Sequence, residues 1–354
     1  GNVKKYNICI DVDSCTPGTI LDASGAEAVD TTDDKFKDSA QSIWSSVIDG
    51  RATTQGGAGH EIVDFTDQIL YTDTDNSGVV ASSGQPLSGS GFELTSSNWD
   101  SSDLSLFRAA VCPTPTDLTP GSDCETRMLW LLGKRNTSDP DNDISSDQRW
   151  SVNDVLHSSP AVITYGGSDS DGDGTIDTFF DKILYGTNDG VLHMVNGKTG
   201  AEDWRYMPGD FWGQQQDMFA NGQGDHIYGL DVTPTIQVID DDLDGSIETA
   251  DGDQVIAFVA ARRGGDNIYA LDLSANISST SGIVVPNFLW RIEGGSGDFS
   301  RLGQTWSQPI ITTIYINSGG GTETKDVLVF GGGYDSKFDN PETYTTADNA
   351  GDDF

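Results

Sequence analysis

Hydrophobic and polar residues alternate over short stretches in the second half of the chain, and residues typical of turns separate these stretches. The clearest example is KILYGTNDGVLHMVN, in which two alternating stretches flank Asn188, Asp189 and Gly190. This period of two predicts half-buried strands, and the N-D-G turn predicts that they form a β-hairpin. QVIAFVAARRGGDNIYALD repeats the pattern, and IITTIYI and DVLVF form a third pair around the Gly-rich link at residues 318–321. We therefore expect three successive hairpins.

The hairpins recur at a nearly constant period. Pro160, Pro234 and Pro309 precede the three units at intervals of about 75 residues, and Gly190 and Gly265 are separated by the same distance. Three similar units at one spacing indicate an architecture built from repeated β units. The chain also contains 42 glycines among its 354 residues, which favours many short strands and turns over long helices. The sequence therefore predicts an all-β-dominated fold.

The first part of the chain follows a different pattern. Over residues 32–48 the apolar residues recur at helical spacing, and Thr32 or Asp33 is suited to cap a helix. These apolar residues are Phe36, Ala40, Ile43, Trp44 and Val47. DLSLFRAAV predicts a short helical turn, and MLWLLGKR predicts an apolar strand or helix. We expect a mixed α+β segment at residues 1–149 that leads into the repeated units at residues 150–354.

Two acidic loops lie between predicted strands of the first and second units. The patterns D-x-D-x-D-G-x-x-D and D-x-D-x-D-G-x-x-E place carboxylates at positions 1, 3, 5 and 9 and a glycine at position 6, where calcium loops turn sharply. The predicted ligands are Asp169, Asp171, Asp173, Asp177 and the backbone carbonyl of Thr175 in the first loop, and Asp240, Asp242, Asp244, Glu248 and the backbone carbonyl of Ser246 in the second. Because such closely spaced carboxylates repel one another unless a hard cation gathers them, we expect both loops to bind calcium. Neither loop has Glu at position 12, where Phe180 and Asp251 stand, so we expect strand-flanked loops rather than EF-hands.

Two further acidic stretches fit a metal loop less well. DTDNSG, which starts at Asp73, has acidic residues only at positions 1 and 3, and we interpret it as a turn. The stretch at residues 139–147 has the acidic spacing, but Ile144 stands where the turn glycine belongs. This substitution favours a solvated acidic loop over a metal site.

The charge of the chain limits its partners. With 19 basic and 56 acidic residues, the formal net charge is −37, so nucleic acid and an anionic membrane surface are both repelled. No apolar run is long enough to cross a bilayer, and we expect no direct membrane insertion. The acidity fits solvation, salt adaptation or a calcium-rich exterior better than a specific cationic partner.

The four cysteines form two local pairs, Cys9 with Cys15 and Cys112 with Cys124. Zinc sites usually place their cysteines closer together, and no histidine stands nearby, so two disulfides are favoured over free thiols. Disulfides indicate an oxidising compartment. The abrupt start and the half repeat at the end suggest a fragment of a longer exported protein.

A family resemblance rests on several of these segments taken in order. RWSVNDVLHSSPAVITYGG, ILYGTNDGVLHMVNGKTGAEDWRYMP, VAARRGGDNIYALDLS, WSQPIITT and VLVFGGGYD resemble the C-terminal β-propeller of PilY-type proteins, the tip-associated adhesins and biogenesis factors of bacterial type IV pili. The resemblance covers residues 50–335. It implies a calcium-bearing propeller with quinoprotein-like blades, incomplete in this chain, which supports pilus assembly and surface attachment.

The same resemblance implies location and partners. The protein is expected to be exported through the periplasm to the pilus tip or cell surface, and to contact minor pilins or the tip complex and a host or abiotic surface. Two features depart from the family. Its best-known calcium loop is expected in a later blade than these residues cover, and its von Willebrand-like N-terminal domain is not expected within them, so neither site is carried over to these residues.

Two alternatives remain open at this point. The blade motif also resembles quinoprotein dehydrogenases, which hold pyrroloquinoline quinone and calcium at the propeller centre, often beside a disulfide between adjacent cysteines. No two cysteines are adjacent here, so a non-enzymatic protein is favoured. A purely structural calcium-dependent surface protein is the other alternative. The histidines lack metal or catalytic spacing and are interpreted as structural or surface residues, and the pair Arg262 and Arg263 as a salt-bridging group or a contact for an acidic partner.

Overall fold

The computed structural model describes residues 1–11, 13–72, 93–135, 148–221, 224, 226–318 and 321–335. The acidic stretch that starts at Asp73 and the one at residues 139–147 lie outside the described residues. The strands in chain order are β1 (Asn7–Ile8), β2 (Ile20–Leu21), β3 (Val29–Asp30), β4 (Lys35–Phe36), β5 (Leu70–Thr72), β6 (Glu93–Leu94), β7 (Ala161–Ser168), β8 (Thr178–Gly186), β9 (Leu192–Asn196), β10 (Glu202–Met207), β11 (Thr235–Ile239), β12 (Gln254–Ala260), β13 (Ile268–Asp272), β14 (Asn287–Ile292), β15 (Ile310–Ser318) and β16 (Gly321–Val329). The helices are α1 (Gly57–Glu61), α2 (Ser105–Val111), α3 (Asp123–Leu132) and α4 (Gln215–Ala220).

Strands dominate the described residues, in agreement with the predicted β-rich fold. β7, β8, β9 and β10 form an antiparallel meander, and β11, β12, β13 and β14 form a second one. β15 and β16 pair antiparallel along their whole length. The three predicted hairpins are therefore confirmed, although the described residues do not close into a complete ring of sheets.

The N-terminal region joins the first meander rather than standing apart from it. β5 pairs in parallel with β10, and β6 pairs with the outer edge of β5, which gives a six-stranded sheet. The hydroxyl of Thr72 donates a hydrogen bond of 2.7 Å to the carbonyl of Met207 and accepts one of 2.7 Å from the indole of Trp212. One hydrophobic cluster runs from this region into both meanders, and it includes Leu70, Phe107, Met128, Leu184, Trp204 and Tyr269.

The prediction of a helix over residues 32–48 is wrong. Residues 35 and 36 form β4, which pairs with β3, and turns and irregular segments follow. The carboxylate of Asp30 accepts hydrogen bonds from both the amide (2.9 Å) and the hydroxyl (2.7 Å) of Thr32, and such local bonds compete with helix formation. Ala40 and Trp44 are nevertheless buried. The spacing identifies core residues here but not their conformation.

The other local expectations for this region are confirmed. DLSLFRAAV contains α2, and MLWLL lies in α3, which begins where the Ser122 hydroxyl accepts the amide of Glu125 at 3.2 Å. The helix ends at Gly133, whose φ of 112° suits a residue without a Cβ. Both predicted disulfides, Cys9–Cys15 and Cys112–Cys124, are present.

Side chains of the first meander also donate hydrogen bonds to the backbone of the second meander. The indole of Trp204 donates a hydrogen bond of 2.6 Å to the carbonyl of Val284, and the hydroxyl of Tyr165 donates one of 2.8 Å to the carbonyl of Leu273. All of these groups are buried. The two meanders therefore share a packed interface.

Candidate metal-binding loops

Each acidic loop connects the first two strands of a meander. The first acidic loop, residues 169–177, joins β7 to β8, and the second acidic loop, residues 240–253, joins β11 to β12. The strands that flank each loop are antiparallel neighbours, so the loop is held at both ends by the sheet. The strand-flanked arrangement expected from the sequence is thus the one observed.

Hydrogen bonds to backbone amides fold the first acidic loop around its own carboxylates. Asp169 Oδ2 accepts the amide of Gly174 at 2.8 Å, and Asp171 Oδ1 accepts the amide of Asp173 at 3.2 Å. Asp173 Oδ1 accepts the amide of Thr175 at 2.8 Å. These bonds fold the backbone of the first acidic loop into a tight turn.

The second acidic loop repeats the same three bonds. Asp240 Oδ2 accepts the amide of Gly245 at 3.0 Å, and Asp242 Oδ1 accepts the amide of Asp244 at 3.3 Å. Asp244 Oδ1 accepts the amide of Ser246 at 2.7 Å. Two loops with different residues at their variable positions therefore adopt the same local structure, which the shared spacing of Asp and Gly explains.

Left-handed backbone at two positions closes both turns. Gly174 and Gly245, at position 6, have φ values of 90° and 85°, where a Cβ is disfavoured. At position 4 the first loop has Gly172 at φ 76°, but the second has Leu243 at φ 61° with an exposed side chain. A non-glycine residue in this conformation is uncommon and is held by the surrounding loop.

Three carboxylates converge in each loop. Oxygen atoms of Asp169, Asp171 and Asp177 lie within 4.8 Å of one another, and so do those of Asp240, Asp242 and Asp244. Asp173 and Glu248, also predicted as ligands, are not members of these two groups. Since calcium binds oxygen atoms at about 2.3–2.6 Å, oxygens at these separations fit around one ion.

One atom supports this fit independently of the spacing. Asp240 Oδ1 is shielded from solvent and has no hydrogen-bond partner in the described part of the chain. An unpaired buried carboxylate oxygen is costly, and a cation is a suitable partner for it. The carbonyls of Thr175 and Ser246 lie in the same turns, and their role as ligands stays a prediction.

The two loops differ in electrostatics. In the first loop, hydrogen bonds from the amides of Gly174 and Gly172 hold the pKa of Asp169 below its ordinary range. In the second loop, partial desolvation, followed by repulsion from neighbouring carboxylates such as Asp244, raises the pKa of Asp242 and of Glu248. The ionised forms of Asp242 and Glu248 are therefore disfavoured in the second loop, whereas the ionised form of Asp169 is favoured in the first.

Asp253 is a functional candidate that the motif does not identify. It is buried at the end of the second acidic loop, and its two oxygens accept the amides of Asp241 at 2.8 Å and of Glu248 at 2.9 Å. Residue 253 lies beyond the nine-residue pattern and immediately precedes β12. When the two units are aligned by their strands instead of by the first Asp of each loop, Asp253, directly before β12, corresponds to Asp177, directly before β8.

The two loops also differ in what they touch. In the second loop the amide of Ile247 donates a hydrogen bond of 3.1 Å to the carbonyl of Tyr165 in β7, and the Ile247 side chain is buried in the shared core. The corresponding residue of the first loop, Ile176, is 47% exposed. The second loop therefore joins the two meanders, whereas the first projects from the sheet.

The histidines lie outside these loops, and each of three is paired with one carboxylate. His157 Nδ1 lies 2.6 Å from Asp231, His226 Nε2 lies 3.1 Å from Asp154, and the buried His193 Nδ1 lies 2.6 Å from Glu202. These pairs agree with the structural interpretation of the histidines.

The two adjacent arginines make different contacts, and a contact with an acidic partner stays a prediction. Arg262 lies 3.8 Å from Asp231, as expected for a salt-bridging residue. The guanidinium of Arg263 stacks at 5.2 Å from the ring centres of both Tyr228 and Trp306.

None of the helices in the described part of the chain is both long and apolar enough to cross a bilayer. No family model and no solved structure matches the chain. The chain is similar to the type IV pilus biogenesis factor PilY1 of Pseudomonas aeruginosa (strain UCBPP-PA14), with 28% identity over 179 residues. The matched segment is 46% of this chain and only 14% of the length of that relative. This distant, partial similarity indicates a PilY-related region.

Proposed function

We propose that this chain is the propeller region of a type IV pilus tip-associated adhesin and pilus assembly factor. The observation that carries the proposal is the similarity to PilY1, a type IV pilus biogenesis factor, in a chain built from repeated β units. The up-and-down strand order of the two four-stranded meanders is the order that propeller blades use, which supports the proposal. On this proposal the described residues form part of a larger propeller.

Calcium is the proposed ion of both acidic loops. Asp169, Asp171 and Asp177 hold it in the first loop, and Asp240, Asp242 and Asp244 hold it in the second, with carbonyls and water completing the shell. A bound calcium ion supplies positive charge that replaces carboxylate repulsion by coordination. Because the second loop contacts β7 through Ile247, its carboxylates are positioned to stiffen the interface between the meanders.

The proposed location is the pilus tip or cell surface after export through the periplasm. Two disulfides fit an oxidising compartment, and the net charge of −37 suits a soluble exterior surface in the presence of divalent cations. The proposed partners are minor pilins or the tip complex, and the proposed target is a host or abiotic surface. The role is mechanical and adhesive, without catalytic turnover.

A complementation experiment tests this function. The gene is deleted in its source bacterium and replaced by the wild-type allele or by Asp171→Asn with Asp242→Asn, and surface pili and attachment are counted. The proposal predicts loss of both on deletion, recovery with the wild-type allele and weaker recovery with the double variant. The exposed substitution Asp33→Asn is the control and is expected to behave as wild type. Normal piliation and attachment in the deletion strain contradict the pilus function.

The quinoprotein alternative has its own test on the same purified protein. Pyrroloquinoline quinone absorbs visible light, so reconstitution of the protein with this cofactor and calcium, followed by gel filtration, gives a coloured protein fraction only if the cofactor binds. The adhesin proposal predicts a colourless fraction.

A further inference from the structure

Lys182 and Asp203 form a buried pair within the first meander. Lys182 lies in β8 and Asp203 in β10, so the pair crosses the intervening strand β9. Lys182 Nζ lies 2.5 Å from Asp203 Oδ2, and the two side chains are only 1% and 10% exposed. A lysine is buried to this extent almost only when it is paired, and Lys182 has Asp203 as its partner.

The pair is poorly satisfied as two ions. An ammonium group has three N–H donors, but Lys182 Nζ has one hydrogen-bond acceptor among the described residues. Removing both charges from water is expensive, and one short contact offsets only part of this cost. Burial, together with the negative charge of Glu202, raises the pKa of Asp203 in spite of the neighbouring lysine. Because both charges are costly when buried, transfer of one proton across this short contact would remove both of them.

The backbone holds the two side chains in place. The pairing of β10 with β9 shifts register between Glu202 and Trp204, and Asp203 lies in this bulge. The indole of Trp204 is fixed by its hydrogen bond to Val284, and Asn196, directly opposite Lys182 on β9, donates its side-chain amide to the carbonyl of Thr280. Reacting groups held this way behave as if present at very high effective concentration.

We propose that Lys182 and Asp203 condense to an intramolecular amide bond that cross-links β8 to β10. The neutral amine of Lys182 attacks Cγ of the protonated Asp203 carboxyl group and forms the new N–C bond. The C–O bond of the departing hydroxyl breaks, and this hydroxyl leaves as water with one proton from the nitrogen. The product retains one N–H and one carbonyl, no oxidant or reductant takes part, and two buried charges are removed. Exclusion of bulk water from the site favours the amide.

The cross-link is independent of the acidic loops and of calcium, and it goes beyond the proposed function. It closes a covalent ring that contains all of β9. Any force that pulls β8 and β10 apart then acts on a covalent bond instead of on backbone hydrogen bonds. A protein that transmits force at a surface gains mechanical strength from this arrangement.

Mass spectrometry of the purified, reduced protein tests the proposal. The wild-type chain is expected to be lighter than its sequence by the mass of one water molecule. Trypsin is expected to leave the bond after Lys182 uncut and to release the fragment of residues 199–205 only as a branch on the fragment that contains Lys182. Lys182→Met and Asp203→Ala are each expected to have the full sequence mass. Lys198→Met, an exposed lysine between β9 and β10, is the control and is expected to retain the loss of water.

Two results overturn the proposal. One is a wild-type mass equal to that of the sequence, with cleavage after Lys182. The other is a loss of water accompanied by a free 199–205 fragment, because cyclisation of an aspartate onto its own backbone at an Asp-Gly step also releases water. Both readouts use the wild-type chain, so poor folding of the variants does not affect them.

Discussion

The carboxylate of Asp253 makes in the second acidic loop the hydrogen bond that Asp177 makes in the first. Asp177 Oδ2 accepts the amide of Ser170 at 2.7 Å, and Asp253 Oδ1 accepts the amide of Asp241 at 2.8 Å. Ser170 and Asp241 both occupy position 2 of their loops. The second loop is therefore closed by a residue that follows Glu248 in the chain, although Glu248 occupies the motif position of Asp177.

This relationship predicts that Asp253 stabilises the second acidic loop more than its acidic neighbours do. Asp253→Ala leaves the amides of Asp241 and Glu248 without their acceptor, so the melting temperature is expected to fall and exchange of these two amides to accelerate. Asp251→Ala, in the same loop but exposed, is the matched control. Equal melting temperatures for the two variants contradict the role of Asp253.

The same bonds predict how pH acts on this loop. Hydrogen bonds from the amides of Asp241 and Glu248 lower the pKa of Asp253 in the folded protein. A lowered carboxyl pKa contributes stability that is present above the unfolded-state pKa and is lost as the pH falls through the folded-state pKa. Amide exchange at residues 241 and 248 is therefore expected to accelerate, after correction for intrinsic rates, when the solution is acidified through that window. If these two amides remain equally protected from exchange below the folded-state pKa of Asp253, the assigned role of its carboxylate is contradicted.

Much of the repeated region follows from its sequence. Alternation and turn residues predict the hairpins, and the Asp and Gly spacing predicts the equivalent folding of the two loops, because these signals act over a few residues. The nine-residue motif does not include Asp253, because the chain between the Asp-rich turn and the next strand is longer in the second unit. The parallel pairing of β5 with β10 joins residues more than a hundred positions apart, and no local pattern encodes it. Local Asp bonds displace the helix expected at residues 32–48.

A buried ion pair is expected to dominate the attachment of α3 to the first meander. Arg205 Nε lies 2.7 Å from Glu202, and its other nitrogens donate to the carbonyls of Leu131 and Leu132 at 2.9 and 3.0 Å. Arg205→Met leaves the buried Glu202 carboxylate with His193 but without Arg205, and it leaves two helix carbonyls without their donor. We expect a loss of about 3–5 kcal/mol in the free energy of unfolding. Arg51→Met removes an exposed pair and is expected to cost about 0–1 kcal/mol. Urea denaturation measures both, and similar losses contradict the expectation.

The lowered pKa of the Glu202 carboxylate predicts how the protein unfolds in acid. Burial alone would raise the pKa of Glu202, but Arg205 and His193 outweigh it and hold this pKa below its ordinary value. Its stabilising contribution is therefore present above the unfolded-state pKa and is lost as the pH falls through the lower folded-state pKa. In Arg205→Met the contribution of Arg205 is lost while that of His193 remains, so the midpoint of acid unfolding is expected to move to higher pH. An unchanged midpoint disagrees with the assignment.

Asp210 is expected to hold the second meander to the connection that follows β10. Its carboxylate accepts hydrogen bonds from Arg291 at 2.9 Å, from the hydroxyl of Tyr269 at 2.6 Å and from the amide of Asn267 at 2.8 Å. We expect Asp210→Ala to reduce the free energy of unfolding by about 1–3 kcal/mol and to increase amide exchange in β13. Asp217→Ala, exposed on α4, serves as the control. Unaltered exchange in β13 argues against this coupling.

The two disulfides are expected to differ in their effect on stability. Cys112 and Cys124 are buried and connect the end of α2 to α3, whereas Cys9 and Cys15 close a shorter loop beside exposed residues. Replacing Cys112 and Cys124 by alanine is expected to lower the free energy of unfolding by about 2–5 kcal/mol. Replacing Cys9 and Cys15 is expected to lower it by less. Thermal unfolding of the two double variants compares them, and the reverse order refutes the expectation.

Calcium titration by isothermal calorimetry tests the central claim most directly. The wild-type protein is compared with Asp171→Ala, Asp242→Ala and the double variant, and its melting temperature is recorded with calcium and with a chelator. We predict two saturable sites in the wild type, loss of one in each single variant and of both in the double variant, with a rise in melting temperature only where sites remain. Absence of saturable binding at millimolar calcium, or unchanged affinity and melting temperature in the double variant, contradicts the assignment of the acidic loops as calcium sites.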